Sequence, residues 1–101
     1  LRYGPMVHIV LGVLAPEGIE HHQDGRLRLA TFTLLVPSSH GTSTRLCTAR
    51  GSLSDTLGAF QPGDTLLVGG QLAVDSGGLR PRALAVEWIE KIPQVKKETY
   101  P

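Results

Sequence analysis

Six interior arginines carry the chemistry this sequence is best equipped to do. Arg26, Arg28, Arg45 and Arg50 fall between Gly25 and Ser54, a stretch with no acidic residue, and Arg80 and Arg82 fall in a second acid-free stretch, Ser76 to Val86. A guanidinium stays charged, forks onto phosphate oxygens and lies flat on a nucleobase, so arginines gathered on one surface suit a phosphodiester strand. The acids collect elsewhere: Glu17, Glu20 and Asp24 in one run, Asp55 and Asp64 in another, and Glu87, Glu90 and Glu98 near the end. The net charge of +1, from Lys+Arg 10 against Asp+Glu 9, therefore conceals a segregated field.

Catalytic and metal-binding patterns are weak by comparison. His21 and His22 are adjacent, so on an extended chain they point to opposite sides and do not grip one ion together. Ser38, Ser39, His40 and Asp55 lack the strand–nucleophile–helix elbow that would frame a triad. Gly69-Gly70 lies inside a strand pattern, which reads as a bulge or a close backbone approach rather than a phosphate loop. Cys47, the single cysteine, sits in an alternating segment as a small core residue. These residues predict a binding protein rather than an enzyme, with no metal and no cofactor.

The elements that must position the arginines follow from a period of two. Met6 to Leu14 reads as a first strand, Pro16 to Gly25 as a polar loop, and Leu27 to Val36 as a second strand. Pro37 to Ser43 is turn-prone, and Thr44 to Arg50 is a third strand. Leu53, Leu57 and Phe60 then recur at i, i+4 and i+7, a short amphipathic helix capped by Ser52 or Ser54. Thr65 to Val74 is a fourth strand, Asp75-Ser76-Gly77-Gly78 a hairpin loop, Arg82 to Ile89 a fifth strand, and Pro93 to Pro101 a flexible tail.

Length bounds the answer. At 101 residues there is room for one small core, with about 6–92 as its extent. Hydrophobic residues make up 41%, enough to fold, yet no apolar run reaches the roughly 20 residues of a membrane helix. Five strands with one helix between the third and fourth is the order of an all-β OB-fold, a five-stranded Greek-key barrel. In that barrel the second and third strands, with the loop between the fourth and fifth, line one groove. The N-terminal residues lack a basic run followed by an apolar one, so a cytoplasmic location is expected.

At this point the residues resemble a family, the bacterial single-stranded DNA-binding (SSB) proteins in their short, PriB-like form. Gly63-Asp64-Thr65-Leu66-Leu67-Val68-Gly69-Gly70-Gln71-Leu72 is similar to the family's fourth-strand Gly-x-x-apolar-x-apolar-x-Gly-Gln-Leu. Ala30-Thr31-Phe32-Thr33-Leu34 resembles its second-strand Ala-x-Phe-x-Leu, and Gly51-Ser52-Leu53-Ser54-Asp55 the opening of its helix. Val86-Glu87-Trp88-Ile89 followed by Ile92 resembles its closing motif. Together these motifs span Met6 to Ile92 in the right order.

The resemblance implies single-stranded DNA binding without strong sequence preference, in replication, replication restart or repair. It implies assembly as a homodimer or homotetramer through the first strand, His8, Ile9, Val10 and Leu11, and possible replication or repair proteins as partners. Its rings are missing from the groove: the outward third-strand positions are Thr44, Leu46, Thr48 and Arg50, and Phe32 has core parity. Trp88 is open between core, interface and base stacking. DNA contacts are therefore expected from Arg28, Arg45, Arg50, Arg80 and Arg82 on phosphates and from the hydroxyls of Thr31, Thr33 and Thr48. The alternative is an OB-fold scaffold subunit of a DNA-processing complex with little DNA affinity of its own, which the scarcity of rings favours.

Overall fold

Alternation of apolar and polar residues produces five strands in the computed structural model, which describes residues 7–74 and 81–93. They are β1 (Val7–Asp24), β2 (Leu27–Ser38), β3 (Gly41–Arg50), β4 (Thr65–Val74) and β5 (Pro81–Ile92). One short helix, α1 (Ser52–Thr56), runs into a 3-10 turn over Leu57–Ala59 and joins β3 to β4. The strands close into a barrel in the order β1-β2-β3-β5-β4, with β4 returning to β1. Only β3 and β5 run parallel, at Cys47↔Leu84 and Thr48↔Ala85.

One parity of each strand fills the barrel. Ala30, Phe32 and Leu34 on β2 meet Cys47 and Ala49 on β3, Leu66 and Val68 on β4, and Leu84 and Val86 on β5. Leu14 joins them from β1, and Leu57, from the turn after α1, completes the cluster. Each fully buried leucine or phenylalanine contributes about 1.5–3 kcal/mol relative to leaving it in water.

β1 departs most from expectation. The residues expected to form a loop, Pro16 to Gly25, mostly belong to the strand, which runs on to Asp24. The ladder with β2 slips between Leu14 and Ile19 and then resumes from Ile19↔Phe32 to Asp24↔Leu27. Pro16 has no N–H to give a ladder, and Gly18 adopts φ 71, so both act as bulge residues within a bent strand. The expected loop shrinks to the two-residue turn Gly25-Arg26. The hairpin between β2 and β3 is similarly tight, with Ser38 paired to Gly41.

The helix cap also differs. Gly51, at φ 63, turns the chain out of β3, and no side chain caps α1. The Ser54 N–H donates to the Gly51 carbonyl (3.0 Å) and Ser54 itself is buried inside the helix, while the Gly51 N–H donates to the Arg28 carbonyl (3.0 Å). Ser52 is simply the first helical residue. The expected hairpin loop at 75–78 and the tail beyond Pro93 lie outside the described residues.

Gly69-Gly70 combines a bulge with a close approach. Gly69 pairs with Trp88 and Gly70 with Val86, so Glu87 is the extra residue on β5. A Cβ on Gly70 would overlap the Ala85 carbonyl oxygen, and one on Gly69 would overlap the Trp88 indole. Gly69 is thus the seat on which Trp88 lies.

Candidate nucleic-acid interface

The parity that leaves the barrel interior on β2 and β3 builds a face of paired residues: Leu29↔Arg50, Thr31↔Thr48, Thr33↔Leu46 and Leu35↔Thr44. Closure extends it. Thr48 continues to Ala85 on β5 and then to Gln71 on β4, and on the other side Thr31 pairs with Glu20 and Leu29 with His22. The row Glu20–Thr31–Thr48–Ala85–Gln71 therefore crosses all five strands. Neighbouring strands stand about 4.8 Å apart, so Glu20 and Thr48 are separated by about 10 Å.

Two shallow hollows flank the threonines. One, of about 210 Å³, is lined by Thr48, Arg50, Gln71, Ala85 and Glu87; the other, of about 190 Å³, by Glu17, Glu20, Thr31, Thr33 and Leu46. His22 Nε2 lies 3.5 Å from Thr31 Oγ1 and 3.6 Å from Glu20 Oε2. Among the described residues the surface offers hydroxyls, one guanidinium at the β3 side and carboxylates at its margins, a lining that can hold phosphates and base edges and includes no stacked row of aromatic rings.

The expected site residues separate into groups. Thr31, Thr33, Thr48 and Arg50 share this face. Arg28 does not: it has the parity of Ala30 and Phe32, and its Nη1 donates to Asp55 Oδ2 of α1 at 2.6 Å. Arg45 does not either. It pairs with Leu34 on the core parity and is half-buried beside Cys47. Burial pushes the Cys47 thiol up to about 12, and the neighbouring Arg45 charge opposes that rise only in part. Arg80 lies outside the described residues. Arg82 belongs to β5, with its side chain outside the described residues.

Glu17, Glu20 and His22 are the additions that sequence reasoning missed. The alternation of Glu20 and His22 with Ile19 and His21 was the available signal, hidden by reading the segment as a loop. Its effect is electrostatic: the acids that sequence order held apart from the arginines come to lie beside the threonines.

A second face is apolar. On β1, Ile9 is 65% exposed and Leu11 52%, with Val7 exposed beside them. They pair with Gly69, Leu67 and Gln71 of β4, and Gly69 pairs in turn with Trp88, which is 38% exposed. His8 pairs with Gly70 and Val10 with Val68, and Val10 packs against the core. Pairing of β1 with β2 begins only at Val13, so among the described residues Val7–Leu11 keeps one free edge.

A further hollow, about 550 Å³, lies among Pro62, Gly63, Asp64, Lys91 and Pro93, where Lys91 Nζ stands 3.5 Å from Asp64 Oδ2. Among the described residues no group of three His, Cys, Asp or Glu is placed to hold a metal, and no helix is long and apolar enough to cross a membrane.

No protein-family model and no curated protein sequence matches the chain. Solved structures match its fold. The second single-stranded DNA-binding protein, SSBb, of Mycobacterium smegmatis aligns with a TM-score of 0.74 at 16% identity, over 93% of this chain and 100% of that one. The N-terminal domain of PriB from Thermoanaerobacter tencongensis, a dimeric structure, aligns at 0.69 and 18%, over 87% of this chain and 97% of that one. This barrel is an OB-fold. The single-stranded DNA-binding protein of Thermus aquaticus aligns at 0.76 and 19%, over 93% of this chain but only 43% of its own, so the OB-fold here corresponds to less than half of that protein.

Proposed function

We propose that this OB-fold binds single-stranded DNA on the outer face of β2 and β3, without strong overall sequence preference, as part of replication, replication restart or repair. The observation that carries the reading is the row Thr31–Thr48 with Arg50 beside it, set on a barrel whose fold recurs in single-stranded DNA-binding proteins and PriB. Arg50 holds phosphate, Thr31, Thr33 and Thr48 offer hydroxyls, and the reading also assigns phosphate contacts to Arg80 and Arg82. Without stacked rings, worth about 1–3 kcal/mol per base elsewhere, affinity per chain is modest and mainly ionic. Two or more copies supply avidity. Assembly uses the free edge and apolar face of β1, through His8, Ile9, Val10 and Leu11. The protein acts by binding, with the strand and a second copy as its partners.

Fluorescence polarisation of labelled oligo-dT tests this. Binding at low salt should weaken as salt rises, with a log–log slope of about −0.7 for each phosphate contacted. Arg50→Ala should lower both the affinity and that slope. Absence of binding at low salt, or binding indifferent to Arg50→Ala, overturns the reading.

A further inference from the structure

Charge is divided unequally across the face on which the DNA reading rests. Arg50 stands at the β3 side, where Glu87 of β5 lines the same hollow and leaves that side near neutral, while Glu20 and Glu17 stand together at the β1 side next to Thr31. A phosphate avoids a carboxylate and seeks a guanidinium, so a strand lying here has its backbone toward β3 and its bases toward β1. The geometry points to a base-edge subsite at the β1 side, in the hollow of about 190 Å³ lined by Glu17, Glu20, Thr31, Thr33 and Leu46, which accepts an exocyclic amine.

The chemistry follows from the lining. Leu46, 49% exposed, offers an apolar surface to a base plane. Ionised carboxylates only accept hydrogen bonds, and among exocyclic amines they suit N4 of cytosine, N6 of adenine or N2 of guanine; thymine has no exocyclic amine, and its one edge donor, N3–H, lies between two carbonyl oxygens that repel a carboxylate. Glu20 is available for this, with its side chain 73% exposed and its Oε2 resting 3.6 Å from His22 Nε2. The same nitrogen lies 3.5 Å from Thr31 Oγ1, so His22 joins the carboxylate to the hydroxyl row. The other charges near His22 are Arg28 and Asp55, which neutralise each other at 2.6 Å, and Arg50 beyond Leu29. Glu20 is thus the acid that meets a base at this side of the row.

The test compares oligo-dC with oligo-dT of equal length by fluorescence polarisation at neutral pH. Wild type should bind dC about fivefold more tightly, the size of one modest hydrogen bond. An oligomer of N4,N4-dimethyl-deoxycytidine, which keeps the ring and loses both amine hydrogens, should bind like dT. Glu20→Gln, whose amide both accepts and donates, should bind dC and dT alike and bind dT more tightly than wild type. Equal binding of dC and dT by wild type, or a dC preference that survives Glu20→Gln, overturns the subsite. If Arg50→Ala still weakens both oligomers in that case, the DNA-binding face stands without it. Failure of wild type to bind either oligomer overturns the face and the subsite together.

Discussion

The two outer faces of this barrel use the same pleat for opposite surfaces. On β2 and β3 the outward residues are Thr31, Thr33, Thr48 and Arg50; on β1, β4 and β5 they are Ile9, Leu11, Leu67 and Trp88. The first face keeps its polar groups hydrated; under the proposed reading a charged strand displaces that water. The second exposes apolar area that gains free energy only when something dry covers it. A barrel of this size has no spare interior, so the tasks proposed for it fall to its outside, where the residue types of the two faces differ.

The comparison can be broken in order of effect. The largest break removes what both faces share: Gly70→Val places a side chain into the Ala85 carbonyl, and we expect a loss of about 4 kcal/mol or outright failure to fold, read by chemical denaturation with Gly58→Ala as the harmless control. Next, Ile9→Glu with Leu11→Glu should leave the fold intact, because both side chains are already exposed. It should reduce the assembly to single chains in light scattering and lower apparent affinity for long oligomers about a hundredfold through lost avidity. A smaller effect sharpens the division without mutation. Trp88 is the chain's one tryptophan, so its emission should shift when the assembly is diluted apart and hardly move when DNA is added. Emission quenched by oligo-dT at constant mass would move Trp88 to the DNA face. The smallest effect is Arg28→Ala. An exposed pair such as Arg28–Asp55 is worth about 0.5 kcal/mol, and DNA affinity should stay close to wild type while Arg50→Ala weakens it.

Strand parity made much of this molecule legible in advance. Phe32 and Cys47 alternate with threonines, which is enough to place them in the core, and the order of five strands around one helix is enough to close the barrel. Gly69-Gly70 was readable for a similar reason, since two glycines in an apolar strand leave room for something to press against it. β1 was not. Proline, glycine and paired histidines have the same local signature in a loop and in a bulged strand, and only the partner strand decides between them. Mistaking one for the other displaced Glu20 and His22 from the face they occupy. Arg28 and Arg45 were read by charge, which suggested the groove, while their spacing from Ala30 and Cys47 puts them on the core parity.

Gly70 has a consequence beyond folding. Most side chains on the two faces can drift, with threonine exchanged for serine or leucine for valine, without touching the barrel interior. Gly70 has no such latitude, because the space where any other residue would begin is occupied by main chain. Distant descendants of this sequence should therefore recolour both surfaces while keeping that one column unchanged. It is the position by which an otherwise unrecognisable relative could be aligned.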